Sequence, residues 1–96
     1  MYGTVARMRL KPGAEAELAR LSREDTPKIA GIVFEYVYRL DANPEEVMLV
    51  VGFESTEAYQ ANANSPEQAA RYERYRALMV ADPEWNDGDI VYAHPE

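Results

Sequence analysis

The sequence has no cysteine and a single histidine, His94. It therefore has no disulfide frame, thiolate nucleophile or sulfur-ligated metal, and no site that needs two imidazoles. Basic residues are also scarce, with 10 Lys and Arg against 17 Asp and Glu for a formal charge of -7. A field of that sign repels phosphate backbones and anionic lipid, so neither nucleic acid nor a membrane surface is an expected partner. Long apolar runs are missing: Val47 to Phe53 is the longest, far short of a bilayer span. Met1 to Lys11 shows neither the basic start nor the continuous apolar core of an export signal, so the expected setting is the cytoplasm. No linker, repeat or low-complexity tract divides the 96 residues, of which 47% are hydrophobic, so residues 1–96 read as one domain.

What is present is periodic. Tyr2, Thr4, Ala6, Met8 and Leu10 alternate with Gly3, Val5, Arg7, Arg9 and Lys11 until Pro12-Gly13, which is the pattern of a strand. Ala14, Leu18 and Leu21 recur at helical spacing among charges, predicting a helix from Ala14 to about Asp25 that ends at Thr26-Pro27. Ile32 to Leu40 is rich in β-branched and aromatic residues. We read Phe34, Tyr36 and Tyr38 on one face, with Val33 and Val37 on the other. Asp41 to Pro44 has turn chemistry, and Val47 to Phe53 is apolar on both faces, as a covered central strand should be. Ser55 or Thr56 can cap a short helix through Ala61. Ser65-Pro66-Glu67-Gln68 opens a longer one, expected to stop near Ala81 because Asp82 precedes a proline. A polar loop from Asp82 to Asp89 then carries Trp85, and Ile90 to His94 is the expected last strand.

The order β-α-β-β-α-β predicts an α+β, ferredoxin-like fold, a four-stranded antiparallel sheet with two helical regions on one face. Its other face would carry apolar residues of the second and third strands, with Arg7, Arg9, Glu35 and Arg39 interspersed. A second copy of the sheet is the simplest cover, so a homodimer is expected.

Leu10-Lys11-Pro12-Gly13, the Gly31 ahead of the second strand and the stretch Phe53 to Pro66 together resemble the antibiotic biosynthesis monooxygenase family, over nearly the whole chain. The resemblance implies a dimeric α/β barrel with a pocket between sheet and helices, in a family whose members oxidise phenolic polyketides, quinols or haem. The chain departs from the family at its chemistry. Phe53 stands where many members have Trp, and Asn62 and Glu67 stand at two histidine positions. The positions that haem-degrading relatives use are Ala6, Asn62 and Tyr72, so haem breakdown is disfavoured and no cofactor or metal is expected.

Tyr72 and Arg76 lie four residues apart on the long helix, hence on one face, and with Asn62 at the helix break they are the candidate catalytic residues. A phenol and a guanidinium there would stabilise the oxyanion of an electron-rich ring before it reduces oxygen. Trp85, Tyr36, Tyr38 and Tyr75 are the candidate ligand contacts, although helical and hairpin aromatics also serve simply as core. Terminal His94 is expected to be exposed and without a functional role, and the acidic pairs Glu45-Glu46 and Asp87-Asp89 read as solvated charge. The expected function is cofactor-independent oxidation of a small aromatic, polyketide or quinol, with non-catalytic binding in the same pocket as the alternative.

Overall fold

Thr4, Ala6, Met8 and Leu10 are buried while Val5, Arg7 and Arg9 between them are exposed, so the alternation in the sequence is that of the first strand, β1 (Tyr2–Arg9). The structure is a computed structural model and describes residues 1–95. β1 is followed by α1 (Glu15–Asp25), a short 3-10 turn (Thr26–Lys28) and a hairpin of β2 (Ile32–Leu40) and β3 (Asn43–Phe53). Two helices come next, α2 (Thr56–Ala63) and α3 (Pro66–Arg76), and then β4 (Glu84–Asp89). The sheet is antiparallel in the order β2-β3-β1-β4, the ferredoxin-like arrangement expected.

The core joins α1 to the sheet centre: Ala14 and Leu18 pack on Ala6, Met8, Leu10, Val47 and Met79. α2 and α3 bury no residue fully, and a cavity lies beneath them. Their starts are local and follow from the sequence. The Ser55 hydroxyl accepts from the Ala58 N–H and the Ser65 hydroxyl from the Gln68 N–H, both at 3.0 Å, satisfying donors that a helix start leaves free.

Four expectations change. In β2 the pairing steps from Ile32 opposite Phe53 to Phe34 opposite Gly52, so Val33 is one residue too many and forms a bulge. Because side chains alternate strictly, that extra residue reverses every face after it. Glu35, Val37 and Arg39 pair with Val51, Leu49 and Val47 on the helix side, whereas Phe34, Tyr36 and Tyr38 pair with Gly52, Val50 and Met48 on the open side. The aromatic stripe is therefore on the face opposite the one expected. Gly52 permits this: a Cβ there would fall 2.3 Å from Cε2 of Phe34, whose ring lies against the strand.

The hairpin turn is shorter than expected, Asp41-Ala42 alone, with Asn43 and Pro44 already in β3. α3 ends at Arg76 rather than near Ala81. The next residues instead prolong the pairing along β1: the Lys11 N–H donates to Leu78 O at 2.8 Å and the Val80 N–H to Arg9 O at 3.0 Å, which sinks Met79 into the core. Finally, the last strand is Glu84–Asp89, where a loop was expected, and Ile90 to His94 lies outside any strand. Glu84–Asp89 has poor strand propensity, but β1 offers it a free edge, and pairing outweighs propensity at such a position.

Candidate functional site

A cavity of about 540 Å³ separates α2 and α3 from the sheet. Its floor comes from alternate residues of the strands, Thr4 and Met8, Leu49, Val51 and Phe53, and Ile32 with Glu35, and one wall is Trp85 and Asp87 of β4. Its roof is Tyr59, Asn62 and Ala63 of α2 with Gln68, Ala69, Tyr72 and Tyr75 of α3. The lining is mostly apolar and aromatic and, among the described residues, contains no Lys, Arg or His. The three arginines of α3 explain why. Arg71 donates to Asn62 Oδ1 at 2.9 Å and to Gln68 Oε1 at 3.1 Å, Arg74 to Asp25 Oδ2 at 2.8 Å, and Arg76 to Asp82 Oδ1 at 2.7 Å.

Several polar groups of the cavity come in donor–acceptor pairs. Thr26 Oγ1 donates to Glu35 Oε1 at 2.6 Å, Tyr59 Oη to Asp87 Oδ1 at 2.9 Å, and Tyr75 Oη to the buried Asp25 at 3.2 Å. Burial first, and then the bond to Asp87, pushes the Tyr59 phenol up to about 12; burial and the Asp25 charge do the same for Tyr75. An unfolded chain would lose both protons near pH 10, so the stability gained by keeping these phenols neutral is complete below that pH and lost as pH rises toward 12. In an absorbance titration, two of the seven tyrosines should ionise with midpoints near 12, and Tyr59→Phe and Tyr75→Phe should each remove one. Seven phenols titrating together near pH 10 would contradict the pairing.

The cavity brings together four of the seven residues that sequence reasoning put forward: Asn62, Tyr72, Tyr75 and Trp85. Tyr72 and Trp85 meet with ring centroids 6.3 Å apart, and Trp85 does so from β4 rather than from a loop. Arg76 is not among them. It shares a helix face with Tyr72, but α3 ends there, and its guanidinium turns to Asp82 and to Met79 O at 3.1 Å. Tyr36 and Tyr38 are not among them either: the Val33 bulge places them on the far face of the sheet, 63% and 52% exposed. Sequence reasoning missed Glu35, assigned to the open face, and Asp87, read as solvated charge. The only sequence signal for Glu35 is a carboxylate inside an apolar strand, and for Asp87 there is none without β4.

The profile of the antibiotic biosynthesis monooxygenases matches residues 1–74, most of the chain. The chain belongs to the antibiotic biosynthesis monooxygenase family. The matched span of this family member carries the whole cavity roof except Tyr75, and it stops short of β4. Solved structures agree on the fold. A Chloroflexus aurantiacus protein assigned to the same family superposes with a TM-score of 0.80 at 22% identity, over 97% of this chain and 95% of that one. Rv0793 from Mycobacterium tuberculosis gives 0.75 at 17% identity, over 97% of both chains, and a conserved protein of Methanosarcina mazei 0.76 at 20%, over 91% and 89%. No curated protein matches the chain. Among the described residues no helix is long and apolar enough to cross a membrane.

Proposed function

We propose that this family member is a cytoplasmic homodimer that binds a small, uncharged, electron-rich aromatic molecule in the cavity and oxidises it with molecular oxygen, using no cofactor. The observation that carries the reading is the Glu35 carboxylate, set by Thr26 in the wall of an apolar, aromatic cavity whose lining has no cation. A carboxylate placed there serves as a proton acceptor. For a substrate with an activated methylene, Glu35 removes one proton and leaves a carbanion that is a strong electron donor. Electron transfer to oxygen and recombination form a C–O bond, and return of the proton gives a hydroperoxide. Loss of water from the hydroperoxide leaves a carbonyl. One oxygen atom enters the product, the other leaves as water, and the substrate carbon supplies all four electrons. Tyr72, Trp85 and Asn62 would hold the ring and its substituents.

The dimer is formed through the sheet face opposite the helices, where Phe34, Tyr36 and Tyr38 lie beside Met48, Val50 and Val5. A patch of this kind in water marks an interaction surface.

One observation favours binding without turnover. Arg76 is outside the cavity, and Tyr59 and Tyr75 already donate to carboxylates, so among the described residues the lining holds no cation in the role first expected of Arg76, charge stabilisation of an oxyanion. Oxygen uptake against a panel of hydroquinones and anthrones separates the two readings, with the fluorescence of Trp85, the only tryptophan, reporting occupancy. Quenching together with uptake above the uncatalysed rate is the expected result. Quenching alone would leave a binding protein, and neither would remove the cavity as the site.

A further inference from the structure

One line of polar side chains crosses the floor of the cavity. Glu35 of β2 pairs with Val51 of β3, Val51 with Thr4 of β1, and Thr4 with Asp87 of β4, so the four residues form a single row across the whole sheet. All four line the cavity. The neighbouring row, Val37, Leu49, Ala6 and Trp85, is apolar from end to end. The polar row therefore has a carboxylate at each end, and each is held by a hydroxyl: Thr26 donates to Glu35 Oε1 and Tyr59 to Asp87 Oδ1. Neither acid has a salt-bridge partner among the described residues. Between them the buried Thr4 hydroxyl accepts from the Asn86 N–H at 3.3 Å, which fixes β4 against the row. The two ends differ in what adjoins them. Glu35 also borders a groove of about 600 Å³ between β2 and α1, lined by Leu18, Val37 and Val47, so a proton it takes can leave without crossing a bound ring. Asp87 stands in the wall beside Trp85, where Tyr59 uses one of its oxygens and leaves Oδ2 for a further donor.

We infer that Asp87 is a specificity-determining residue of this site: it accepts the hydroxyl of a substrate whose reacting carbon lies at Glu35, so that the molecule spans the row from one acid to the other. The inference rests on the proton-acceptor role proposed above for Glu35. The row sets the length of what it takes. Neighbouring strands lie about 4.8 Å apart, so three spacings put the outermost Cα atoms, those of Glu35 and Asp87, about 14 Å apart. A contact of about 3 Å at each carboxylate, with the side chains leaning inward, leaves roughly 6 to 8 Å between the reacting carbon and the hydroxyl oxygen. That is the reach of an aromatic ring with an activated methylene on one side and a hydroxyl on the opposite side. Such a hydroxyl conjugates with the reacting carbon, and a carboxylate accepting from it raises the electron density of the ring, which favours electron transfer to oxygen. Two acids without a cation between them repel an anion, so the group selected is a neutral donor. Asp87 lies outside the residues 1–74 that match the family profile, so this selectivity is written in the last strand of this chain.

The probes are 2-tetralone, which has an activated methylene attached to an aromatic ring, its 6-hydroxy derivative, whose hydroxyl is opposite that methylene, and its 6-methoxy derivative, which keeps the oxygen but cannot donate. Isothermal titration calorimetry under nitrogen should give the hydroxy compound a dissociation constant about tenfold below that of the methoxy compound, the effect of one hydrogen bond to a charged acceptor at a partly solvated wall. Asp87 is exposed on an edge strand, so Asp87→Ala should fold, and it should bring the two constants within about twofold of each other. Tyr59→Phe leaves the carboxylate and frees its Oδ1, so the preference should persist or widen. A preference lost equally in Tyr59→Phe and Asp87→Ala would mean that Asp87 acts only by holding Tyr59, and would overturn its part in recognition. One that survives Asp87→Ala and disappears in Glu35→Gln would put the hydroxyl at the other acid and overturn the assignment too. Equal binding of all three probes by the natural chain would overturn the selectivity and leave Glu35 to be judged by oxygen uptake. Failure of every probe to bind at millimolar concentration would overturn both, since the cavity would then not take such a ring.

Discussion

Glu35→Gln is expected to lower oxygen consumption by about a hundredfold to ten-thousandfold, the range attributable to a positioned proton acceptor. The amide keeps the size of the carboxylate and can still accept from Thr26, so the cavity should retain its shape and ligand affinity should change only a few-fold. The loss should therefore fall on turnover and not on binding, the mark of an interaction used in the transition state. Thr26→Val should cost less, because it removes one donor to the carboxylate and leaves the base itself. Arg76→Ala supplies the contrast. An oxyanion donor would lose about a hundredfold on truncation, but a guanidinium engaged with Asp82 and Met79 O should leave turnover unchanged. Full activity in Glu35→Gln, measured as oxygen uptake on any substrate found in the panel, would end the proton-acceptor reading.

Val50→Asp is expected to raise the dimer dissociation constant by roughly a thousandfold, because each copy would bring an unpaired carboxylate into an apolar seam at a cost of several kcal/mol. Val50 lies between Val5 and Tyr36 in the middle of the open face, away from the cavity floor, so the monomer should fold and keep its helical signal. Val37 looks equivalent in sequence but pairs with Leu49 on the helix side, so an aspartate there would enter the α1 groove instead. Val50→Ala is the mild control, expected to weaken the dimer only slightly. Light scattering on the two variants decides the matter, and a Val50→Asp protein that dimerises as the parent does would exclude this face as the interface.

The elements legible in the sequence are those written locally. The alternation of β1, the apolar run of β3 and the serine caps of α2 and α3 each depend on a few neighbouring residues, and each is where it was expected. What could not be read depends on a distant partner. β4 exists because β1 has a free edge, and α3 stops early because Leu78 to Val80 pair with Arg9 to Lys11. Asn62, Tyr72, Tyr75 and Trp85 were found because helical phase and an unusual aromatic are visible in one dimension. Arg76 was misplaced for the complementary reason: helical phase fixes which face a residue shares, but the end of the helix decided where its long side chain went.

The extra residue in β2 also bears on how this molecule can change. A strand has two settings, and opening or closing a bulge converts one into the other for every residue beyond it. Were the ladder regular with Val33 kept in it opposite Gly52, Glu35 would pass to the outer face and Phe34, Tyr36 and Tyr38 would turn beneath the helices, exchanging the acid in the cavity for three rings and the aromatic seam for charge. The candidate chemistry and the candidate assembly are thus set together by a single irregularity in the ladder. Point substitutions can tune either one alone, whereas drawing Val33 into the ladder would alter both at once, and deletion of Val33 itself should leave both faces as they are.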